Sequence, residues 1–314
     1  MRGTIVILGS VINAVLLVSA TAGQAHAQTV PADKPELELL DYWRLDTNLP
    51  TGTDYTHALT KSPAALDVFS DSYFRIVTGG GVSMKARFGG AVTSTGTAYA
   101  RTELREMADA STAAAWACTS KAKQMFARIR IKTTGRYKPE MSVAQIHDGS
   151  SDVLEVLYIY EPAQNGGVFP ASGQIGDHGK IIAAWNGSRS GAATLDPSYV
   201  VGDTIEVTVT ANGSAGTGNM RVDYQNVTQH KGSSGTAAFG TVTGSCYFKA
   251  GNYHQSCSQK FVNGAFNPTC VNKCFTPRTD CANPTSQSTW EPDADNANTS
   301  ELILYNLTVT PKGN

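Results

Sequence analysis

Three short segments of this chain carry most of the side chains that could do chemistry. They are Arg101–Arg105 (RTELR), Gln145–His147 (QIH) and Tyr247–Gln255 (YFKAGNYHQ). In each segment, charged or polar residues alternate with small or apolar ones, which is the pattern of a β-strand with a core face and a working face. Side by side, the three working faces would bring together arginine, glutamine, histidine, lysine and tyrosine side chains. Such a set could bind a carboxylated sugar chain and move a proton on it.

The period of two in a strand predicts which of these residues share a face. Leu104, Ile146 and Phe248 fall on the opposite side, which faces the core. Gly251 leaves a gap in the working row, and we expect this gap to let a ligand approach the backbone closely. The predicted working face consists of Arg101, Glu103, Arg105, Gln145, His147, Tyr247, Lys249, Gly251, Tyr253 and Gln255.

Taken one at a time, these residues have simpler interpretations. A single histidine such as His147 is more often a structural residue, and a single tyrosine such as Tyr253 more often belongs to a sandwich core. The run from Arg101 to Arg105 would ordinarily be a solvated row of ion pairs that contributes little stability. A functional prediction therefore depends on the three segments together.

The three segments resemble the signature motifs of the alginate lyases of polysaccharide lyase family 7. Those motifs read Arg-Ser/Thr-Glu-Leu/Val-Arg, Gln-Ile/Val-His and Tyr-Phe-Lys-Ala-Gly-x-Tyr-x-Gln, and all three occur here in the family's order. Trp43-Arg44-Leu45, followed by Leu49-Pro50, also resembles the usual start of the family's domain. The resemblance extends from Leu39 to the last strand. It implies a jelly-roll β-sandwich whose concave sheet forms the substrate groove.

The resemblance also implies a reaction, the β-elimination of a uronate polymer. A base removes the proton at C5 and the bond to the C4 oxygen breaks, so the neighbouring carboxylate gains negative charge that donors must neutralise. The resemblance assigns that neutralisation to Gln145 and to Arg101 or Arg105. His147 is expected to be the base for guluronate. Tyr253 is expected to be the acid and, for mannuronate, both base and acid.

The remaining motif residues are expected to bind substrate. Lys249, Tyr247 and Gln255 would hold the sugar chain, and Glu103 would orient Arg101 and Arg105. Because the family's Gln-Ile-His form tends to accompany activity on guluronate or mixed stretches, Ile146 favours guluronate-containing blocks. The resemblance implies alginate as the partner, endo action, no organic cofactor and no metal.

The rest of the chain predicts an all-β protein with a single catalytic domain over residues 35–314. Short alternating segments recur along it, such as 125–133, 204–210, 220–224 and 303–309, with glycine-rich turns between them. Ala110–Ala117 is a short-helix candidate that could also be a loop. The row Arg128, Arg130 and Lys132 could extend a cationic groove or form an outer solvated face.

The N-terminal segment and the cysteines indicate an exported protein. Residues 1–27 are typical of a secretory signal, with Arg2 at the start, an apolar stretch and the small-x-small site Ala25-His26-Ala27. Residues 28–34 form a short linker. Six cysteines favour disulfides, especially in a cysteine-rich insertion at 256–300, although the spacing of Cys270 and Cys274 would also suit zinc. Five glycosylation sequons occur, at Asn186, Asn212, Asn226, Asn298 and Asn306.

Charge and hydropathy limit the possible partners. The formal net charge is −1, which argues against a nonspecific nucleic-acid binder, and no segment after the signal is apolar enough to span a membrane. We therefore expect a secreted, extracellular monomer.

Two other functions fit parts of the pattern. A noncatalytic carbohydrate-binding jelly roll would keep the arginines but has no need for both His147 and Tyr253. A glycoside hydrolase would need two carboxylates facing each other across the groove, and Glu103 is the only acid within the three motifs.

Overall fold

The structure is a computed structural model that describes residues 42–311 with gaps. The gaps are at 53, 88–89, 95–96, 98, 120–121, 136–138, 168–173, 213–218, 239–243, 258–260, 263–264 and 267–298. The predicted signal and linker, and most of the predicted insertion at 256–300, lie outside the described residues. Among the described helices, none is long and apolar enough to cross a membrane.

The described chain is built almost entirely of strands, as the sequence predicts. In chain order the strands are β1 (Trp43–Thr51), β2 (Asp54–Lys61), β3 (Phe74–Ile76), β4 (Val82–Arg87), β5 (Tyr99–Glu106), β6 (Trp116–Ala117), β7 (Lys123–Thr133), β8 (Glu140–His147), β9 (Asp152–Tyr160), β10 (His178–Trp185), β11 (Ser188–Val200), β12 (Thr204–Asn212), β13 (Asn219–Asn226), β14 (Lys231–Ala238), β15 (Ser245–Cys257), β16 (Phe261–Val262), β17 (Ala265–Phe266) and β18 (Thr299–Thr310). Apart from Tyr42, which is helical where the described residues begin, the helical elements of this part of the chain are α1 (Pro63–Leu66) and a 3-10 turn at Pro162–Asn165.

The strands form two large antiparallel sheets. The first has the order β11-β10-β9-β8-β15-β5-β1-β2, with β6 beside β15, and the second has the order β14-β13-β12-β7-β18-β4-β3. Buried Asn252 on β15 links the layers, since its side-chain amide donates to the carbonyls of Met84 and Ser300 on the second sheet. The all-β sandwich predicted from the sequence is therefore confirmed.

Alternation places the core between the sheets. On β7, the side chains of Met125, Ala127, Ile129 and Ile131 are fully buried, as their period of two predicts. The intervening cations therefore lie on the outer face of the second sheet. There Lys132 pairs with Glu301 at 3.2 Å, so this row does not extend the groove of the first sheet.

Two local features needed the structure. Of the two alternatives for Ala110–Ala117, the loop is correct and the helix is not; the loop ends in β6, and the Asp109 carboxylate accepts the backbone N–H groups of Ser111 and Thr112 within it. On β18, the residues facing the core do not follow one period of two. A bulge opposite β7, between Leu304 and Asn306, shifts the alternation, so that Leu302 and Leu304 are buried before it and Leu307 after it.

The start of β15 is held from three directions. A disulfide joins Cys246 to Cys118 in the loop after β6. Next to it, the buried carboxylate of Glu106 accepts hydrogen bonds from Lys123 Nζ and Trp116 Nε1, both at 2.8 Å, and from the backbone N–H of Phe248. These bonds satisfy a buried charge and fix the strand at the centre of the first sheet.

Candidate active site

The three segments singled out in the sequence lie on adjacent strands. β15 is flanked by β8 and β5, so Lys249 is paired with Gln145 on one side and with Arg105 on the other. Tyr247 is opposite His147, and Tyr253 is opposite Arg101. The apolar residues between them belong to the core, so the polar side chains share the other face of the sheet.

Glu103 is the centre of this polar face. It is fully buried, and its carboxylate accepts hydrogen bonds from Gln145 Nε2 at 2.7 Å and from Arg101 Nη1 at 2.9 Å. Lys249 Nζ lies 3.5 Å from the same oxygen that Arg101 contacts. One buried carboxylate therefore fixes the positions of an amide, a guanidinium and an ammonium group.

Arg105 is oriented differently from what the sequence predicts. Its guanidinium carbon lies 4.0 Å from the ring centroid of Tyr247, in cation–π geometry, while Glu103 contacts Arg101. Glu103 therefore contacts Arg101, as predicted. Arg105 is instead positioned by the aromatic ring of Tyr247.

His147 is a neutral imidazole in this environment. Its Nδ1 accepts the backbone N–H of Gly149 at 2.9 Å, and the Tyr247 hydroxyl lies 3.2 Å from the same nitrogen. Its Nε2 lies 3.5 Å from Asp152 Oδ1. Burial, together with the positive charges of Lys249 and Arg101, lowers the pKa of His147 to about 3.

Tyr253 is a buried phenol beside a cation. The guanidinium carbon of Arg101 lies 3.8 Å from the centroid of its ring, and the edge of its ring contacts Tyr99. Burial raises the pKa of Tyr253 above its ordinary value, although the Arg101 charge opposes this shift. The hydroxyl therefore keeps its proton at ordinary pH and can donate it.

Gly251 is required for a structural reason that the sequence analysis did not predict. Its φ is +137°, and a Cβ built on it would lie 2.6 Å from Met84 Cε and 2.8 Å from the Thr102 carbonyl oxygen. The glycine is therefore required by the backbone conformation and by close packing on the interior side. It lies where β15 has one extra residue relative to β8, between the pairs Ala250–Ala144 and Tyr253–Ser142.

Two carboxyl groups that the sequence analysis missed share this face. Asp152 is paired with His147 and Glu155 with Gln145, because β9 has one extra residue at this point. Burial, and then the neighbouring Asp152 charge, raises the pKa of Glu155 to about 7. Simple alternation would have placed residues 152 and 155 on opposite faces, so the sequence carried no usable signal for this pair.

Gln255 connects the three motifs to Glu155 and Arg189, which lie outside them. Its Nε2 donates to Glu155 Oε1 at 3.4 Å, and its Oε1 accepts from Arg189 Nη2 at 3.4 Å. Arg189, on β11, also donates to the carboxylate of Glu140 at the start of β8. Arg189 and Glu140 are further groups on this face that sequence reasoning did not find.

The arrangement suits proton transfer on an anionic ligand. Three cations share this face, since Arg101 and Lys249 lie against the carboxylate of Glu103 and Arg105 lies over the ring of Tyr247. A neutral imidazole and a protonated phenol lie beside them on the same face. Among the described residues, no cluster of histidine, cysteine and acidic side chains could hold a metal ion.

Comparisons with known proteins place this geometry in a family. A family model described as alginate lyase matches residues 37–309. The solved alginate lyase AlgAT5 of polysaccharide lyase family 7 and the alginate lyase from Corynebacterium sp. are each 24% identical to this chain, with a TM-score of 0.58 over 88% of this chain and 97% of theirs. A search of curated protein sequences found no match.

A third solved structure carries a substrate. It is a variant of the family 7 alginate lyase A1-II′ with a histidine and a tyrosine replaced, in complex with the substrate GGMG. It is 17% identical, with a TM-score of 0.55 over 90% of this chain and 97% of that one. These likenesses show a common fold, and the family model spans most of the sequence. The chain therefore belongs to the alginate lyase family, as its three motifs predict, and is a polysaccharide lyase.

Proposed function

We propose that this alginate lyase is secreted, cleaves inside the polymer and prefers guluronate-containing blocks. The main support is the set formed by Gln145, Arg101 and Lys249 around Glu103, with His147 and Tyr253 beside it. This set supplies fixed donors for a carboxylate together with one group that can accept a proton and one that can donate a proton.

In the proposed reaction, a uronate carboxylate lies against Gln145, Arg101 and Lys249. The base takes the C5 proton, the electron pair forms the C4–C5 double bond, and the C4–oxygen bond breaks. Tyr253 gives its proton to the departing oxygen. The buried donors stabilise the extra charge on the carboxylate without reorganising, an effect that is typically worth about 3 kcal/mol for each donor.

His147 is the proposed base for guluronate. In the free protein, burial and then the charges of Lys249 and Arg101 lower its pKa, which makes it a weak base. A bound uronate carboxylate would offset those charges, so the basicity of His147 rises when substrate is present. The enzyme thereby reserves its base for an anionic ligand.

Tyr253 suits the acid role better than the base role. A mannuronate residue presents its C5 proton and its leaving oxygen on the same side, so Tyr253 would have to serve as both base and acid. Because burial raises its pKa, ionisation of the phenol is opposed, even with Arg101 over its ring. This difference supports a preference for guluronate, in agreement with Ile146 in the second motif.

The polar row is long enough to hold more than one sugar. Paired residues continue it across five strands, from Arg44 on β1 through Arg105, Lys249 and Gln145 to Glu155 on β9. At a strand spacing of about 4.8 Å, this row spans roughly 19 Å, which supports endo action. Export is supported by residues 1–27 and is compatible with the disulfide between Cys118 and Cys246.

Glycosylation, if the host performs it, has unequal sites. Asn186 is exposed at the turn between β10 and β11. Asn226 is fully buried and donates to Asp203, so the folded protein cannot accept a glycan there.

The test is digestion of purified guluronate, mannuronate and alternating blocks, with the products separated by size. We expect the fastest rise in ultraviolet absorbance on guluronate-containing blocks and a ladder of intermediate sizes early in the reaction. Faster cleavage of mannuronate blocks would refute the preference. Release of only the smallest products from the start would refute endo action.

His147→Ala should suppress cleavage of guluronate blocks while the fold stays intact. Losing a general base costs on the order of a hundredfold or more in rate. His178→Ala, which changes a histidine on β10 of the same sheet outside the three segments, is the control and should retain activity. Full activity of His147→Ala would refute the proposal that His147 is the base.

A further inference from the structure

The ring of His147 is held at both nitrogens by groups of the protein. The N–H of Gly149 points at Nδ1, 2.9 Å away, and a backbone N–H can only donate. A neutral imidazole carries one proton, so a ring that accepts at Nδ1 carries that proton on Nε2. The nitrogen that faces Asp152 is therefore an N–H donor in the free protein.

Asp152 lies where it can accept that proton in a hydrogen bond. Its Oδ1 is 3.5 Å from Nε2, and a shift of about 0.5 Å would bring the pair to an ordinary N–H···O distance. The extra residue in β9 near Val153 turns this carboxylate toward His147, because Asp152 is paired with His147 whereas Leu154 is paired with Ile146. The acid is thus directed at the imidazole by the sheet and is not part of a solvated loop.

This orientation bears on the proposed mechanism. A base needs a lone pair, and in the Nε2–H tautomer the lone pair of the ring is on Nδ1. In the free protein this lone pair accepts the Gly149 N–H, with the Tyr247 hydroxyl 3.2 Å away, so substrate must displace these contacts before Nδ1 can take the C5 proton. The groups that hold Nε2–H therefore keep the lone pair of the base on Nδ1.

We propose that Asp152 is a positioning residue that, together with the Gly149 N–H, holds His147 as the Nε2–H tautomer. The proposal rests on the proposed function in one respect, since its effect on turnover requires His147 to be the base. Its effect on the ring itself does not depend on catalysis. Asp152 then keeps the imidazole in one orientation and stabilises the imidazolium that forms when Nδ1 takes the C5 proton.

Other charges surround this pair, and they set its pH dependence jointly. Burial and then the charge of Lys249, on β15, lower the pKa of His147, and the same charge opposes the rise in the pKa of Asp152 that burial causes. Asp148 has the opposite effect on both groups. The groups that face the pair are Lys249 and Tyr247 from β15, Arg101 and Arg105 from β5, Glu155 from β9 and Asp148 from the intervening turn.

The first test reads the tautomer directly. The free protein, labelled with ¹⁵N in histidine, is examined by long-range ¹H–¹⁵N spectra, with the His147 signals assigned from a His147→Gln variant. We expect a protonated Nε2 and an unprotonated Nδ1 in the wild type, and a mixture of tautomers in Asp152→Leu. Asp152→Asn, whose amide oxygen can still accept, should keep the wild-type tautomer. A wild-type ring protonated at Nδ1, or an unchanged ring in Asp152→Leu, would overturn the proposal.

The second test measures turnover of guluronate blocks against pH. Asp152→Leu should lower kcat by roughly tenfold with little change in KM, as expected for a displaced catalytic group. Asp152→Asn should move the acid limb of kcat to lower pH, because the carboxylate no longer stabilises the imidazolium. A wild-type kcat and pH profile in both variants would contradict the proposal.

Asp148→Asn is the matched control. Asp148 is also close enough to affect His147, but its carboxylate accepts the backbone N–H groups of Ser150 and Ser151, at 2.9 and 2.7 Å. An asparagine keeps those acceptors, so the tautomer and kcat should stay at wild-type values. An equal shift of the acid limb of kcat in Asp148→Asn and Asp152→Asn would show a general charge effect and overturn the specific role of Asp152. Failure of the proposed function would instead appear as full activity of His147→Ala. The spectra of the His147 ring in the wild type and in the Asp152 variants would still test the tautomer in that case.

Discussion

Glu103 shows how one residue can organise a candidate active site without touching the substrate itself. A buried carboxylate is costly unless it is paired and hydrogen-bonded, and here Gln145, Arg101 and Lys249 meet that requirement together. The same contacts fix the donors that a uronate carboxylate would meet. Stability and preorganisation therefore depend on the same charge.

At this scale, Tyr253→Phe should nearly abolish turnover on every block while binding persists. The phenol is held protonated, so losing its hydroxyl removes the proton donor and should lower kcat by about a hundredfold or more. Product absorbance gives kcat, and calorimetric titration with oligouronates gives affinity. Tyr99→Phe is the control, since it keeps the ring contact with residue 253 and should leave kcat intact. Normal turnover of Tyr253→Phe would refute the acid role.

Glu155 gives a prediction about pH and stability. Its pKa of about 7 exceeds the ordinary value of 4.5, so the folded state binds its proton more tightly than the unfolded state. The resulting stabilisation is complete below about pH 4.5 and is lost as pH rises through 7, a change worth at most roughly 3 kcal/mol. Glu155→Gln should therefore be more stable than wild type at about pH 9 and nearly equal at about pH 4.

Urea unfolding at the two pH values tests this. Glu161→Gln removes a surface carboxylate whose partner is Lys180, 3.0 Å away, and should change little at either pH. A Glu155→Gln variant with no gain at high pH would show that this carboxyl group is not destabilised when it ionises in the folded protein.

At the scale of the element, β15 determines where the proposed catalytic groups lie. It contributes Tyr247, Lys249, Tyr253 and Gln255, and its bulge beside β8 sets the position of Tyr253 relative to that strand. The same strand stays in register with β5 from Lys249 to Tyr253. One irregularity therefore adjusts the phenol against one neighbour while the alignment with the arginines is preserved.

Gly251→Ala should damage both stability and activity. The new methyl group would meet Met84 and the backbone of Thr102 at under 3 Å, in a conformation that L side chains rarely adopt. We expect a loss of on the order of 3 kcal/mol and a lower kcat from displaced Tyr253. Gly187→Ala, at a turn with φ of +65° and open space around it, should cost about 1 kcal/mol with kcat unchanged. Equal behaviour of the two variants in denaturation and kinetics would argue against the special role of Gly251.

At the scale of the whole molecule, the disulfide between Cys118 and Cys246 ties the central strand to a loop 128 residues away in sequence. Replacing both cysteines with alanine should lower the free energy of unfolding by about 2–4 kcal/mol, because the unfolded chain is less restricted. Tyr247, the next residue, stacks on His147 with 5.3 Å between the ring centroids. Because this contact remains when the disulfide is removed, kcat at room temperature should change by only a few-fold. Thermal unfolding and kinetics of the double variant check both statements, and an unchanged melting temperature would contradict the first.

The family, the all-β class and the shared face of the polar motif residues were determined by the sequence alone. Alternation with a period of two makes Arg101, Gln145, Lys249 and their neighbours visible as one row, because a strand places every second side chain on the same side. The three motifs then carry enough spacing information to indicate alginate lyase chemistry, and the family match agrees.

The tertiary structure decided what each side chain contacts. That Glu103 holds Gln145 and Lys249, and that Arg105 stacks on Tyr247 instead, depends on strand order, which local sequence does not encode. Asp152 and Glu155 could not be placed from sequence, since one extra residue in β9 reverses the alternation between them. Bulges are set by pairing with a neighbouring strand, so side-chain direction beyond a bulge is known only once the sheet has formed.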